Sequence, residues 1–125
     1  MAGYQSKDLL INNTQIAVGA SETNTPITVP FRASAEDSMA MIVNVVCTSV
    51  TVTNAITANL QDSYDAGTTW ADVKTVAISG NGTFEIEVNA FDGSDTIMHP
   101  LLRVTVDSGA DDAVDVDNVW VTRRI

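Results

Sequence analysis

Short runs of alternating apolar and polar residues, broken by turn signals every eight to twelve residues, recur along this chain, and no stretch sustains a 3.6-residue helical period. The longest run is Met39–Thr53. Met39, Met41, Val43, Val45 and Cys47 fall on one face, and Ala40, Ile42, Asn44, Val46 and Thr48 on the other. Both faces are mostly apolar, which predicts a central strand covered on both sides. Ile56, Ala58 and Leu60 then point inward, as do Phe84, Ile86 and Val88 of TFEIEVN and Leu102, Val104 and Val106 of LLRVTVD. In Ala113–Thr122 the phase slips: Val114 and Val116 share one parity, Val119 and Val121 the other. A bulge near Asp117-Asn118 reconciles them and swings Trp120.

The earlier part of the chain supplies weaker strands at Leu9–Ile11, Thr14–Val18 and Ile27–Phe31, the last confined to an edge or an end by Pro30. Arg32–Ser38 is the one place for a helical turn, and Met1–Asp8 reads as a loose, flexible arm. Ser79-Gly80-Asn81-Gly82 is the strongest tight-turn signal. The sum is an all-β chain of seven to nine short strands. It predicts a single domain, 1–125, built as an antiparallel β-sandwich of jelly-roll type.

Between two of these strands, Ser63–Trp70 spells S-Y-D-A-G-T-T-W, which fits the Asp-box pattern S-x-D-x-G-x-T-W at every fixed position. The Asp65 carboxylate can turn back onto backbone N–H groups two residues on. Gly67 can take the positive φ that closes the bend. Ser63 offers a small hydroxyl inside it, Thr69 completes the pattern, and Trp70 is an aromatic lid whose indole N–H needs a partner. The expected object is a β-hairpin with a folded-in tip, a structural device and not a catalytic one. The pattern occurs once, so a propeller, which needs repeated blades, is excluded.

Sixteen acidic residues against six basic ones leave a net charge of −10, which repels nucleic-acid phosphates and anionic membranes. Cys47 is the sole cysteine, so no internal disulfide is possible, and its apolar strand makes it a buried small hydrophobe. No basic start followed by an apolar run precedes the strands, so a soluble product without signal peptide is expected, made in a reducing cytoplasm. Met39–Cys47 is too short to span a bilayer as a helix.

Catalytic chemistry finds little to work with. An Asp box suggests a sialidase-like glycosidase, but the chain is too short and its arginines are only Arg32, Arg103, Arg123 and Arg124. No carboxylate pair sits in an apolar setting that would raise one pKa. His99, beside Pro100, is the sole histidine; with one cysteine it excludes a zinc site. No cofactor is implied. The weak metal candidate is calcium at Asp107, Asp111 and Asp112, within the acidic run DSGADDAVDVDN, although Asp115 and Asp117 alternate with valines as a strand with a wet face does. Tyr4, Tyr64, Trp70 and Trp120 are the aromatics with polar edges that could stack on a sugar.

The order of segments carries a resemblance. Thr23-Asn24-Thr25-Pro26-Ile27, the long Val/Thr strand, L-Q-D-S-Y-D-A-G-T-T-W-A-D-V, G-T-F-E-I, L-L-R-V-T-V and V-D-N-V-W-V-T-R-R-I follow one another. This layout resembles the small β-sandwich virion proteins of tailed bacteriophages, especially capsid decoration (cement) proteins. The resemblance implies a non-enzymatic protein assembled in the host cytoplasm, forming a homo-oligomer, a trimer before a dimer, and bracing the major capsid protein on the outside of the head. Tyr4, Arg123 and Arg124, at the two chain ends, are the expected oligomer or capsid contacts. The alternatives are another virion part (tail tube, baseplate or fibre module) and a carbohydrate-binding module.

Overall fold

The computed structural model describes residues 5–11, 15–21, 29–32, 40–89 and 101–124. These form nine strands and no helix: β1 (Gln5–Ile11), β2 (Ile16–Val18), β3 (Val29–Arg32), β4 (Ala40–Thr51), β5 (Ile56–Ser63), β6 (Ala71–Ala77), β7 (Gly82–Asn89), β8 (Leu101–Ser108) and β9 (Ala113–Arg124). One sheet, sheet A, runs β1-β9-β4-β7, with β2 also on β9. The other, sheet B, runs β3-β8-β5-β6. All pairings are antiparallel.

The topology follows from pairing the chain with itself. β1 and β2 pair with β9, β3 with β8, β4 with β7, and β5 with β6. The chain is thus one long hairpin whose rungs alternate between two sheets, closed by the further pairs β4–β9 and β5–β8. That is the jelly-roll form of a β-sandwich.

The alternation read from the sequence sets the core. Met41, Val43, Val45 and Cys47 of β4, Val114, Val116, Val119 and Val121 of β9, and Ile86 and Val88 of β7 face Ile56, Ala58 and Leu60 of β5 and Leu102, Val104 and Val106 of β8. Each fully buried Val, Leu or Ile side chain contributes about 1.5–3 kcal/mol. Phe84, expected inside, is half-buried at the rim of this core. β4 has a neighbour on each side, as expected of a central strand. Its second face is only partly covered: Ile42, Val46 and Thr48 are half-buried and Asn44 is buried.

The slip in β9 is a bulge. Val46 pairs with Asn118 but Cys47 with Val116, which leaves Asp117 as the extra residue. Thr48 Oγ1 donates to Asp117 Oδ1 at 3.2 Å and holds it. All four valines of β9 therefore face the core, and Trp120 goes to the outward row beside Asn44.

Two expectations change. Gln5–Asp8, placed in the loose arm, form the first half of β1, because the end of β9 offers Thr122, Arg123 and Arg124 as backbone partners. Ser79–Gly82 does not close a hairpin: β6 and β7 belong to different sheets, and the turn is a corner between them. There Asn81 Oδ1 accepts from Val50 N at 2.9 Å. Residues 33–38, His99 and Tyr4 lie outside the described residues.

Turn chemistry leaves a measurable signature. Ala66, beside Gly67 (φ 96°), sits at φ 59°, in the left-handed region that costs a non-glycine residue about 1–2 kcal/mol. Ala66→Gly removes that cost and adds unfolded-chain entropy, so a net gain of about 0.5–1 kcal/mol is expected, read as a higher urea midpoint. An unchanged or lower midpoint would contradict it.

Candidate functional site

Among the described residues, two places concentrate polar side-chain hydrogen bonds. The first is the β5–β6 hairpin and the outward face of sheet B beneath it. Ser63 Oγ accepts from Gly67 N at 2.8 Å and from Asp65 N at 3.4 Å, while donating to Asp65 Oδ1 at 2.9 Å. Asp65 Oδ1 accepts from Thr69 N at 2.6 Å. The carboxylate thus reaches four residues along the chain and not the two that an Asx-turn would give, because the Ser63 hydroxyl already serves the nearer donors. Backbone N–H donation from Thr69 holds the Asp65 carboxyl below the ordinary carboxylate range. Trp70 closes the bend by donating Nε1–H to Gly67 O at 3.0 Å.

Arg103 of β8 lies over the Trp70 ring, 4.4 Å from its centroid, and its Nε donates to Gln61 Oε1 at 2.7 Å. Gln61 Nε2 in turn donates to Asp72 Oδ1 at 2.7 Å. One step along the same face, Asn59 accepts from Thr75 Oγ1 at 3.0 Å and donates to Thr105 Oγ1 at 3.2 Å and to Asp107 Oδ2 at 3.1 Å. Cross-strand register places these groups side by side: Asn59 opposite Thr75 and Thr105, Gln61 opposite Asp72 and Arg103. The result is a polar ladder that ties three strands together from outside the core. Buried amides satisfied in this way fix register as well as adding stability.

The second place is the corner where the β4–β5 and β8–β9 connections meet. The buried Asp112 carboxylate accepts four backbone N–H groups. Oδ1 takes Thr53 N and Asn54 N (2.8 Å), and Oδ2 takes Ala55 N (3.0 Å) and Gly109 N (2.9 Å). Thr53 Oγ1 also donates to Asp111 O at 3.2 Å, and Asn54 Nδ2 to Ala110 O. Burial pushes the Asp112 carboxyl up, but the donors outweigh it and hold the group below its ordinary range.

This arrangement separates the three calcium candidates. Asp112 points into a ring of positive N–H dipoles, which a cation would have to oppose. Asp111 is exposed in the turn, and Asp107 belongs to the sheet B ladder. They do not converge on one point, and among the described residues no group of three or more His, Cys, Asp or Glu side chains could hold a metal.

The other candidates sit elsewhere. Arg123 and Arg124 are the last residues of β9, with backbone partners on both sides: Ser6 and Gln5 of β1, Met41 and Ala40 of β4. Tyr64 is exposed at the hairpin tip and Trp120 is half-buried on the outward face of sheet A. Trp120 is therefore not a core residue. With the Arg103 guanidinium stacked on it, the Trp70 ring does not offer both faces to a ligand.

Cys47 is buried, and desolvation, followed by the Asp117 charge, pushes its thiol from 9.0 up to about 11. At neutral pH the thiolate fraction is about a hundredfold below that of a free cysteine, before any steric protection. A thiol reagent such as DTNB should therefore label the native protein at least about a hundredfold more slowly than the urea-unfolded chain. Equal rates would show that the core opens at Cys47.

Sequence reasoning missed Arg103, Gln61, Asn59 and the true role of Asp112. The first three could have been found by their parity, since they alternate with core residues on adjacent strands. Asp112 gave no such signal, because three of its four backbone partners lie more than fifty residues away in sequence.

No protein-family model matches the chain, and no curated protein does. A solved structure described by the words "Bacillus endospore appendages form a novel family of disulfide-linked pili" aligns with 100% of this chain and 91% of its own, at 12% identity and a TM-score of 0.37.

Proposed function

We propose that this protein is a non-enzymatic structural component of a tailed-phage virion, of the capsid-decoration type, which associates with itself and binds the outer surface of the head. One observation carries the non-catalytic part. The polar side chains that are buried and well bonded, Asp112, Asn59 and Gln61, are spent on tying strands and corners together. Among the described residues the displaced carboxyls and thiol move away from neutrality, Asp65 and Asp112 downward and Cys47 upward, while burial lowers Arg103, a guanidinium that stays protonated at neutral pH. Acid–base or nucleophilic work at neutral pH calls for the opposite displacement.

What remains for function is surface and sheet edge. The outward face of sheet A carries half-buried Ile42, Val46 and Trp120 beside exposed Glu85 and Glu87. An aromatic and aliphatic patch with a charged rim suits a protein partner. Repetition over a capsid lattice would multiply modest contacts into stable attachment. The phage assignment itself is supported by the order of segments in the sequence. Mass spectrometry of purified virions tests it: the protein should be present at a fixed ratio to the major capsid protein. Its absence from virions, or a copy number of a few per particle, would refute decoration. A few copies would point instead to a tail or baseplate part.

A further inference from the structure

The edges of the two sheets are treated differently. In sheet B, edge strand β3 contains Pro30, which cannot donate to a further strand. The other edge, β6, has a register shift at Leu60/Gln61, and Lys74 lies opposite core-facing Leu60. A proline, a bulge and an inward lysine are devices that stop a sheet from growing. In sheet A, β7 has none of them. It pairs with β4 in eight unbroken steps, from Ala40↔Asn89 to Cys47↔Gly82, and among the described residues no strand occupies its other side. At the opposite end of the sheet β1 carries a bulge between Leu9 and Ile11, but Gln5–Leu9 runs in regular register along β9, its far side also unpaired among the described residues.

We infer that copies of this chain join through sheet A, the open edge of β7 in one copy pairing antiparallel with the open edge of β1 in the next. The inference rests on the self-association proposed above. Strand direction permits it. The order β1-β9-β4-β7 alternates at every step, so the two outer strands run in opposite senses. A second copy, rotated about an axis along the strands, then brings its β1 to β7 with antiparallel polarity.

Charge favours this pairing over β7 against β7. Glu85 and Glu87 occupy the outward row of β7 and are exposed. Two β7 strands in antiparallel register bring these acids toward each other, which is destabilising. Lys7 of β1, at the register position of Thr122, falls in the same outward row and is the one charged residue of β1 there. Opposite charges at facing register positions favour the pairing. Such a contact is heterologous: it closes into a ring if the rotation permits, and otherwise continues as a filament.

Light scattering on the full chain at tens of micromolar tests it. The expected mass is a multiple of the 13.3 kDa chain. Glu85→Lys with Glu87→Lys should weaken association about tenfold or more, and so should Lys7→Glu. The three changes together should restore it, with far-UV circular dichroism unchanged throughout. In a second measurement, Lys7→Cys and Glu87→Cys combined in one chain should give inter-chain disulfide ladders under mild oxidation. An oligomer indifferent to both charge reversals and yielding no ladder overturns the edge pairing, while presence in virions would leave the decoration reading standing. A monomer at these concentrations also overturns it. Retained edge pairing in a protein absent from virions would sink the decoration reading alone.

Discussion

Asp112→Ala should lower Tm by roughly 15 °C or more, the scale expected when several buried donors lose one acceptor in a domain of this size. Four backbone N–H groups, those of Thr53, Asn54, Ala55 and Gly109, would be left facing a void. Asp112→Asn should fall nearly as far, because its NH2 would confront two of the same donors. Gly109→Ala attacks the corner from the other side: a Cβ there would stand 2.9 Å from both Asn54 Cβ and Asp112 Oδ2. The double variant Gly109→Ala/Asp112→Ala should cost less than the sum of the two, since either change alone opens the same corner. Additive losses would show that the two turns are not one unit.

The same residue sets an acid limit. The Asp112 and Asp65 carboxyls are held below their ordinary range in the folded protein, so the unfolded chain takes up protons first as pH falls. Their stabilisation is complete above about pH 4–5 and is lost as pH drops through the ordinary carboxylate range toward the lower folded values. Tm should therefore be level from pH 7 to about 5 and fall below it, and the fall should be shallower in Asp112→Asn.

Trp70→Ala is expected to cost about 2–3 kcal/mol, less than a fully buried tryptophan because the ring is half-buried. The loss has three parts: the apolar lid on the bend, the Nε1–H bond to Gly67 O, and the stack under Arg103. Trp70→Phe keeps the plate but loses the bond, and should cost about 1 kcal/mol. Both should lower the urea midpoint without changing the m-value. Without the ring Arg103 loses its support, and the Gln61–Asp72 branch of the ladder should loosen with it. Faster amide exchange in β6 would report this, and unchanged exchange would show that the ladder stands without Trp70.

The strands were legible because a period of two survives in the residues themselves. Leu102, Val104 and Val106 declare one face of β8 without help, and the parity change between Val116 and Val119 located the bulge at Asp117. The hairpin was legible because the hydrogen bonds that shape its bend run to residues within four positions: Ser63 to Asp65 and Gly67, Asp65 to Thr69, Trp70 to Gly67. What was hidden depends on pairs distant in sequence. Gln5–Asp8 has a weak strand signal of its own and acquires form from β9. Asp112 sits in an acidic turn that resembles a metal loop until Thr53–Ala55 arrive from the other sheet corner. Ser79–Gly82 fits a hairpin or a sandwich corner equally well, and the choice lies with where β7 finds β4.

β9 follows every other strand in chain order, yet it lies inside sheet A, between β1 with β2 on one side and β4 on the other. During synthesis the ribosome would deliver β4 and β7 as a two-stranded ribbon long before the strand that joins them to β1 and β2. Val43 and Val45 would lack one of their two sheet neighbours until Val116 to Val121 left the exit tunnel. The four strands of sheet B all precede β9, but sheet A cannot be completed until β9 arrives, so the sandwich closes in a late step. Nascent chains should be protease-sensitive at almost every length and gain resistance abruptly once residue 124 has emerged.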